Sequence, residues 1–182
     1  MRLGFRFLNK LFMVPMFRLG LGPFFGNPLS GYVMVLRTIG RKTGKVRYVP
    51  VNYAIVNGCV YCLVGFGRTS PWFLNLLANP DIDVILPGGA IAGHVEEATD
   101  GEERRVVLRQ ILKNAGFATL FEGLNPYRAT DEALARKTAD QPLVRIRPTG
   151  MGNGASDPGG WAWVWMVLVT VVIVALIAAV VL

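Results

Sequence analysis

Before Asp81 the chain has no aspartate or glutamate, and its 182 residues include one histidine and two cysteines. Each scarcity excludes something. One histidine, His94, cannot complete a zinc site without a second ligand pair, and two cysteines cannot form the disulfide framework of a secreted module. A reducing cytoplasm is therefore the default setting. Residues 1–80 carry ten Lys/Arg with nothing to neutralise them; the remaining nine cations face twelve acids and sum to −3, for a net +7. A positive field built by one half of a chain marks an anionic partner, the alternative being a basic solvated face with no ligand.

Cys59 and Cys62 form a CxxC in "NGCVYCLVGF". This stretch reads as a strand, where residues three apart face opposite sides, whereas a redox CxxC opens a helix. Both are read as core or half-buried thiols. No metal site is expected.

Charge is also missing from the last 22 residues, "WAWVWMVLVTVVIVALIAAVVL". As a helix they would extend about 33 Å, the scale of a bilayer's hydrocarbon core. Trp161, Trp163 and Trp165 gather at the entry end, where indoles favour the interface. The expectation is a single transmembrane helix over 161–182. Arg145 and Arg147 precede it, which places the main domain on the cytoplasmic face of the cell membrane. The Gly/Pro/Ser-rich "PTGMGNGASDPGG" makes 149–160 a flexible linker. At the other end, 1–26 mix Phe and Leu with Arg2, Arg6, Lys10 and Arg18, too often interrupted by charge for a signal peptide. They read as an amphipathic helix, lying either on lipid or on the domain.

The middle, 27–148, is mainly β. Strands are expected over 31–38, 46–56, 59–66, 81–88, 90–98 and 142–148, with Asn57-Gly58 as the strongest hairpin signal. Helices are expected at "SPWFLNLLANP", with Ser70 as N-cap and Pro71 first, from Asp100 to about Asn114, and around Asp131–Lys137. About six strands with inserted helices suggest a small β-barrel with α additions.

"TIGRKTGKVRYVP" (38–50) concentrates Arg41, Lys42, Lys45 and Arg47 at one turn with no acid. Gly40 and Gly44 free the backbone to curl and expose N–H groups, which would make an anion cup. Nucleic acid, a membrane surface and a phosphorylated cofactor are the candidate partners. A Walker A loop is excluded, because the glycines are four rather than five apart and Val46 follows Lys45. Nucleic acid is disfavoured, since the cations crowd one turn instead of lining a groove with stacking aromatics.

The order of motifs resembles the deazaflavin-dependent nitroreductase family: "RTIGRKTGKVRYVPVNY", an Asn-Gly hairpin, "LVGFG", then "SPWFLNLLANP". The resemblance covers about 28–148 and implies a split β-barrel related to FMN-binding flavin reductases. It implies coenzyme F-420, a reduced 8-hydroxy-5-deazaflavin ending in a phosphate and a polyglutamate tail. Carried onto this sequence, Arg41, Lys42, Thr43 and Arg47 would hold the phosphate, with Lys45 near the tail. Pro50, Val51 and Asn52 would line the ring with Gly65, Phe66 and Gly67, and Arg68 would replace a family lysine. Trp72 and Asn75 correspond to ring-proximal positions, ordinary core packing being the competing reading for Trp72. The "RTS" after Gly67 is shorter than the Gly-rich basic stretch of relatives.

Hydride transfer from a deazaflavin needs orientation and water exclusion more than side-chain chemistry, so the lack of a His/Asp/Ser cluster does not exclude an enzyme. Tyr127 is the candidate proton donor or substrate-positioning group by resemblance, with solvent as the alternative source of the proton. The C-terminal segment adds membrane lipid as a partner and favours a lipophilic acceptor, a quinone such as menaquinone or a nitro compound. Two alternatives stand beside this reading: a catalytically silent module binding deazaflavin, FMN or haem, and an FMN-dependent oxidase; a homodimer is the candidate assembly under any of them.

Overall fold

The computed structural model describes residues 12–19, 21–22, 31–99, 101–116, 119, 123, 125–154 and 162–181. Six strands appear in order: β1 (Val33–Ile39), β2 (Val46–Val56), β3 (Cys59–Leu63), β4 (Asp81–Leu86), β5 (Gly89–Glu97) and β6 (Leu143–Met151). They close an antiparallel barrel in the order β1-β2-β3-β6-β5-β4. The helices are α1 (Val14–Arg18), α2 (Pro71–Ala78), α3 (Gly101–Asn114), α4 (Asp131–Lys137) and α5 (Ala162–Val181). The expected mainly β class, with helices added to a small barrel, is what forms.

Period-two alternation sends Met34, Leu36, Val60, Cys62, Val84, Val144 and Ile146 into the barrel. Outward Val33, Val35 and Ile85 are covered by Phe17 of α1, so β1 is buried on both faces. Over its described residues, the N-terminal helix therefore lies on the barrel wall. Arg2, Arg6 and Lys10 fall outside the described residues. Helix α3 lays Val107 and Ile111 on outward Ala54, Tyr61 and Leu143, and α4 adds Leu134 to Leu108 and Leu112. Phe73 and Leu76 of α2 join the interior cluster itself, so this helix caps one end of the barrel.

The Asn57-Gly58 turn has φ +49° and +76°, both left-handed as a tight hairpin requires. Gly93 sits at a β5 bulge, where a Cβ would come 2.5 Å from Ile146 Cγ2. The CxxC splits as strand parity demands, Cys62 in the interior and Cys59 against the outer cluster. Burial pushes the Cys62 thiol up to about 12.

Three expectations change. Ser70 stands at the N-cap of α2, but its side chain makes no capping bond and its Oγ is buried without a partner. Strand β6 runs on to Met151, and Gly152 N–H donates to Ala90 O at 3.1 Å, so the start of the expected linker belongs to the sheet. Gly152 is needed there because a Cβ would meet the Ile91 backbone at 2.7 Å. Asp100, the expected α3 cap, lies outside the described residues. As for 161–182, the expected helix forms over Ala162–Val181, yet among the described residues no helix is long and apolar enough to cross a membrane.

Candidate active site

Strand β2 is the longest in the barrel and serves two neighbours in succession. Val46–Asn52 pair with β1, and Tyr53–Val56 pair with β3. Beyond Tyr53↔Cys62 the chain at Val64–Ser70 leaves β2, so the barrel wall is split along the first half of the strand. Tyr53 N–H donates to Tyr32 O on the β1 side, and backbone groups alternate, so position 50 faces the open seam. Proline is tolerated there because no ladder bond is required of it. Along the seam the inward Val49 and Val51 are only half-buried, although Met34 and Leu36 beside them are fully buried.

Gly65, Phe66 and Gly67 follow the end of β3, where the chain has left β2. A Cβ at Gly65 would meet nothing within 4 Å, which leaves room for a flat ligand, and Gly67 has φ +73°. Phe66 is 54% exposed. Trp72 packs on the interior cluster and edge-on to Phe73, at 6.4 Å between centroids. Its role as core is thus visible, whatever else it touches.

The basic turn stands at the end of this seam, in a conformation the cup idea did not anticipate. Gly40 N–H donates to Lys45 O (2.9 Å), while Thr43 and Gly44 N–H both donate to Gly40 O (3.0 and 2.8 Å). Lys45 N–H donates to Thr43 Oγ1 (3.4 Å) and Arg41 N–H to Asn75 Oδ1 (3.2 Å). These donors point inward and are satisfied, so the expected backbone anion cup is corrected to a closed turn that presents side chains. Gly44, at φ +65°, makes the closure possible, and Gly40 leaves space for Thr43 Oγ1 and Arg47 Nε.

The structure brings Arg41, Lys42, Thr43, Lys45 and Arg47 together, with Lys42 and Lys45 exposed. Asn75 belongs to this group, since its carbonyl oxygen holds Arg41. Asn52 turns outward and donates through Nδ2 to Tyr32 O (3.2 Å), a brace rather than a seam-lining group. Arg68 forms a two-pronged pair with Glu97, which occupies the charge expected at the ring. Tyr127 is 69% exposed against α3, with the Lys113 ammonium 5.6 Å from its ring centroid. No hydrogen bond or ring contact among the described residues links it to the seam. His94 pairs with Asp81 at 2.7 Å.

Two residues at the seam escaped the sequence reading. Val49 and Tyr53 share the inward parity of Val51, and strict alternation would have found them. Tyr53 stands where the β2–β3 ladder begins; burial, then the neighbouring Tyr32, raise its phenol above the ordinary value. The arrangement suits a flat ring in the seam and an anionic end on the turn: small or apolar residues, open space at Gly65, and exposed ammonium groups.

No curated protein matches the chain. Solved structures share similarity at low identity. An F420-H2 dependent reductase is 22% identical, over 63% of this chain and 93% of that one, with a TM-score of 0.43. A domain-swapped dimer is 22% identical over 67% and 88%, with a TM-score of 0.48. The haem storage protein of Vibrio cholerae is 13% identical over 75% and 87%, with a TM-score of 0.45. The model of the F420H(2)-dependent quinone reductase family matches residues 15–120, more than half of the chain, from within α1 to beyond α3. The chain therefore belongs to the F420H(2)-dependent quinone reductase family, and is an oxidoreductase whose family cofactor is F420H2.

Proposed function

We propose that the protein is a membrane-anchored reductase that passes a hydride from the reduced 8-hydroxy-5-deazaflavin coenzyme to a lipophilic acceptor, menaquinone first and nitro compounds second. The observation that carries the proposal is the closed basic turn held against α2 at the end of the β2 seam. When bound, the coenzyme supplies the hydride; the chain supplies position and a dry surface. Arg41, Lys42, Lys45 and Arg47 bind the phosphate and glutamates, with Arg suited to directed contact and Lys to diffuse charge. Thr43 shapes the turn through its hydroxyl. Pro50, Val51, Gly65, Phe66, Gly67 and Trp72 exclude water from the ring. A proton reaches the reduced acceptor from Tyr53 at the seam, from Tyr127, or from solvent.

The anchor belongs to the same proposal. Trp161–Leu182 hold no charge, and the exposed Val167, Leu168, Val171, Val172, Val174 and Leu176 cover over half of the α5 circumference. Such a helix is costly in water and at home in lipid. The division into an N-terminal helix, a barrel, a linker and an anchor follows, with the barrel on the cytoplasmic face. Along β4 the basic turn and Gly154 lie at opposite ends, so a polar coenzyme enters from water. A homodimer is the proposed assembly, checked by light scattering in detergent.

The test is full-length protein in vesicles with and without menaquinone, following oxidation of the reduced coenzyme. Faster oxidation with the quinone supports the reading. Equal rates overturn the quinone, and protein that stays out of the vesicle fraction overturns the anchor.

A further inference from the structure

We propose that Asn75 is the positioning residue of the anion seat, bracing Arg41 without neutralising it. This deepens the functional reading above and rests on it for the identity of the ligand. Asn75 lies on α2 among Trp72, Phe73 and Leu76, which cap the barrel, and is only 8% exposed. An amide in that apolar setting is unfavourable unless it is hydrogen-bonded. Its Oδ1 accepts from Arg41 N–H at 3.2 Å and from Arg41 Nη1 at 3.1 Å, and Nη1 also donates to Pro71 O at 3.2 Å. Gly40, Thr43, Gly44 and Lys45 find acceptors for their N–H groups within the turn itself; Arg41 finds its acceptor on α2. The tip of the turn is thereby locked to the helix through Arg41.

The chemistry of the acceptor matters as much as its position. Arg37 meets Asp83, Arg68 meets Glu97, Arg109 meets Asp131, and Arg145 and Arg147 meet Glu96. Each of those guanidinium charges is answered by a carboxylate. Arg41 is hydrogen-bonded to two neutral oxygens, which fix its orientation and leave its positive charge for an incoming anion. Aspartate at position 75 would keep the geometry and cancel the charge. Leucine would keep the volume and lose the lock.

Two measurements test this in full-length protein. The first is hydrogen exchange of the Arg41 amide by NMR without ligand. Asn75→Leu should speed it about tenfold or more, while Asn75→Asp keeps it protected. The second is fluorescence titration with the oxidised coenzyme and with its phosphate-free deazaflavin riboside. Both variants should raise the coenzyme Kd about tenfold or more and the riboside Kd less than about threefold. In a cycle with Arg41→Ala, Asn75→Leu should add less than about threefold, because the two act as one unit. Additive losses, unchanged exchange in Asn75→Leu, or wild-type coenzyme binding by Asn75→Asp would overturn the proposal. Wild-type protein that binds neither ligand would instead overturn the deazaflavin reading, with the exchange result showing separately whether Asn75 locks the turn.

Discussion

Removing Lys42 and Lys45 together isolates charge from geometry at the proposed seat. Both ammonium groups are exposed, and neither is part of the internal hydrogen bonding that closes the turn, which runs through backbone groups and Thr43 Oγ1. A unit charge about 5 Å from a phosphate charge is worth about 0.8 kcal/mol at the dielectric of water. Two such groups contribute about 1.6 kcal/mol, or about fifteenfold in Kd. Arg41→Ala removes a braced guanidinium and its hydrogen bonds, so a loss of about tenfold to a hundredfold is expected at that site. The assay is titration of the oxidised coenzyme by its fluorescence, at low salt and again near 0.5 M. Wild-type affinity should fall with salt, and the Lys42→Ala/Lys45→Ala variant should show a flatter dependence because fewer charges remain to be screened. If that variant binds within twofold of wild type with the same salt slope, the turn is not where the anion sits.

Further outcomes follow from other parts of the barrel. Glu96 accepts from Arg145 and Arg147, and those hydrogen bonds hold its carboxyl below the ordinary value. Its folded value lies below its unfolded one, so the stabilisation is present above the unfolded value and fades as pH falls through the folded one. Thermal melts from neutral to acid pH should show a shallower decline in Glu96→Gln. Gly93→Ala would drive a Cβ into Ile146 and should destabilise the protein by about 1–3 kcal/mol, read by urea unfolding. Thiol titration of the native protein should label Cys59 readily and Cys62 only after denaturation; equal rates would contradict the interior placement of Cys62.

The elements were legible because their signals are local. Asn57-Gly58 and the Pro71 start of α2 act within a few residues, and β2 and α2 form close to their expected bounds. Thr130, which the sequence reading did not single out, caps α4, accepting from Ala133 N–H at 3.3 Å. The closeness of the basic turn's candidate residues was equally legible, because five of them lie within seven positions of one another. What escaped was long-range. Arg68 meets Glu97 and Arg41 meets Asn75 across 29 and 34 residues, and no spacing rule links such partners. Reading 50–52 as one ring-lining run also set parity aside, and the fold divides those residues between an inward Val51 and an outward Asn52.

Composition and order alone determined that this chain builds a small β-rich domain with a one-signed basic turn and an uncharged end, since charge, turn chemistry and periodicity are properties of neighbours. Tertiary structure decided how the turn works. Closing six strands around one core left β2 with a half-free edge and set α2 over the barrel's end. That packing turned most of the loop's N–H donors inward and left its lysine and arginine side chains on the outside, with Arg41 braced by a buried asparagine.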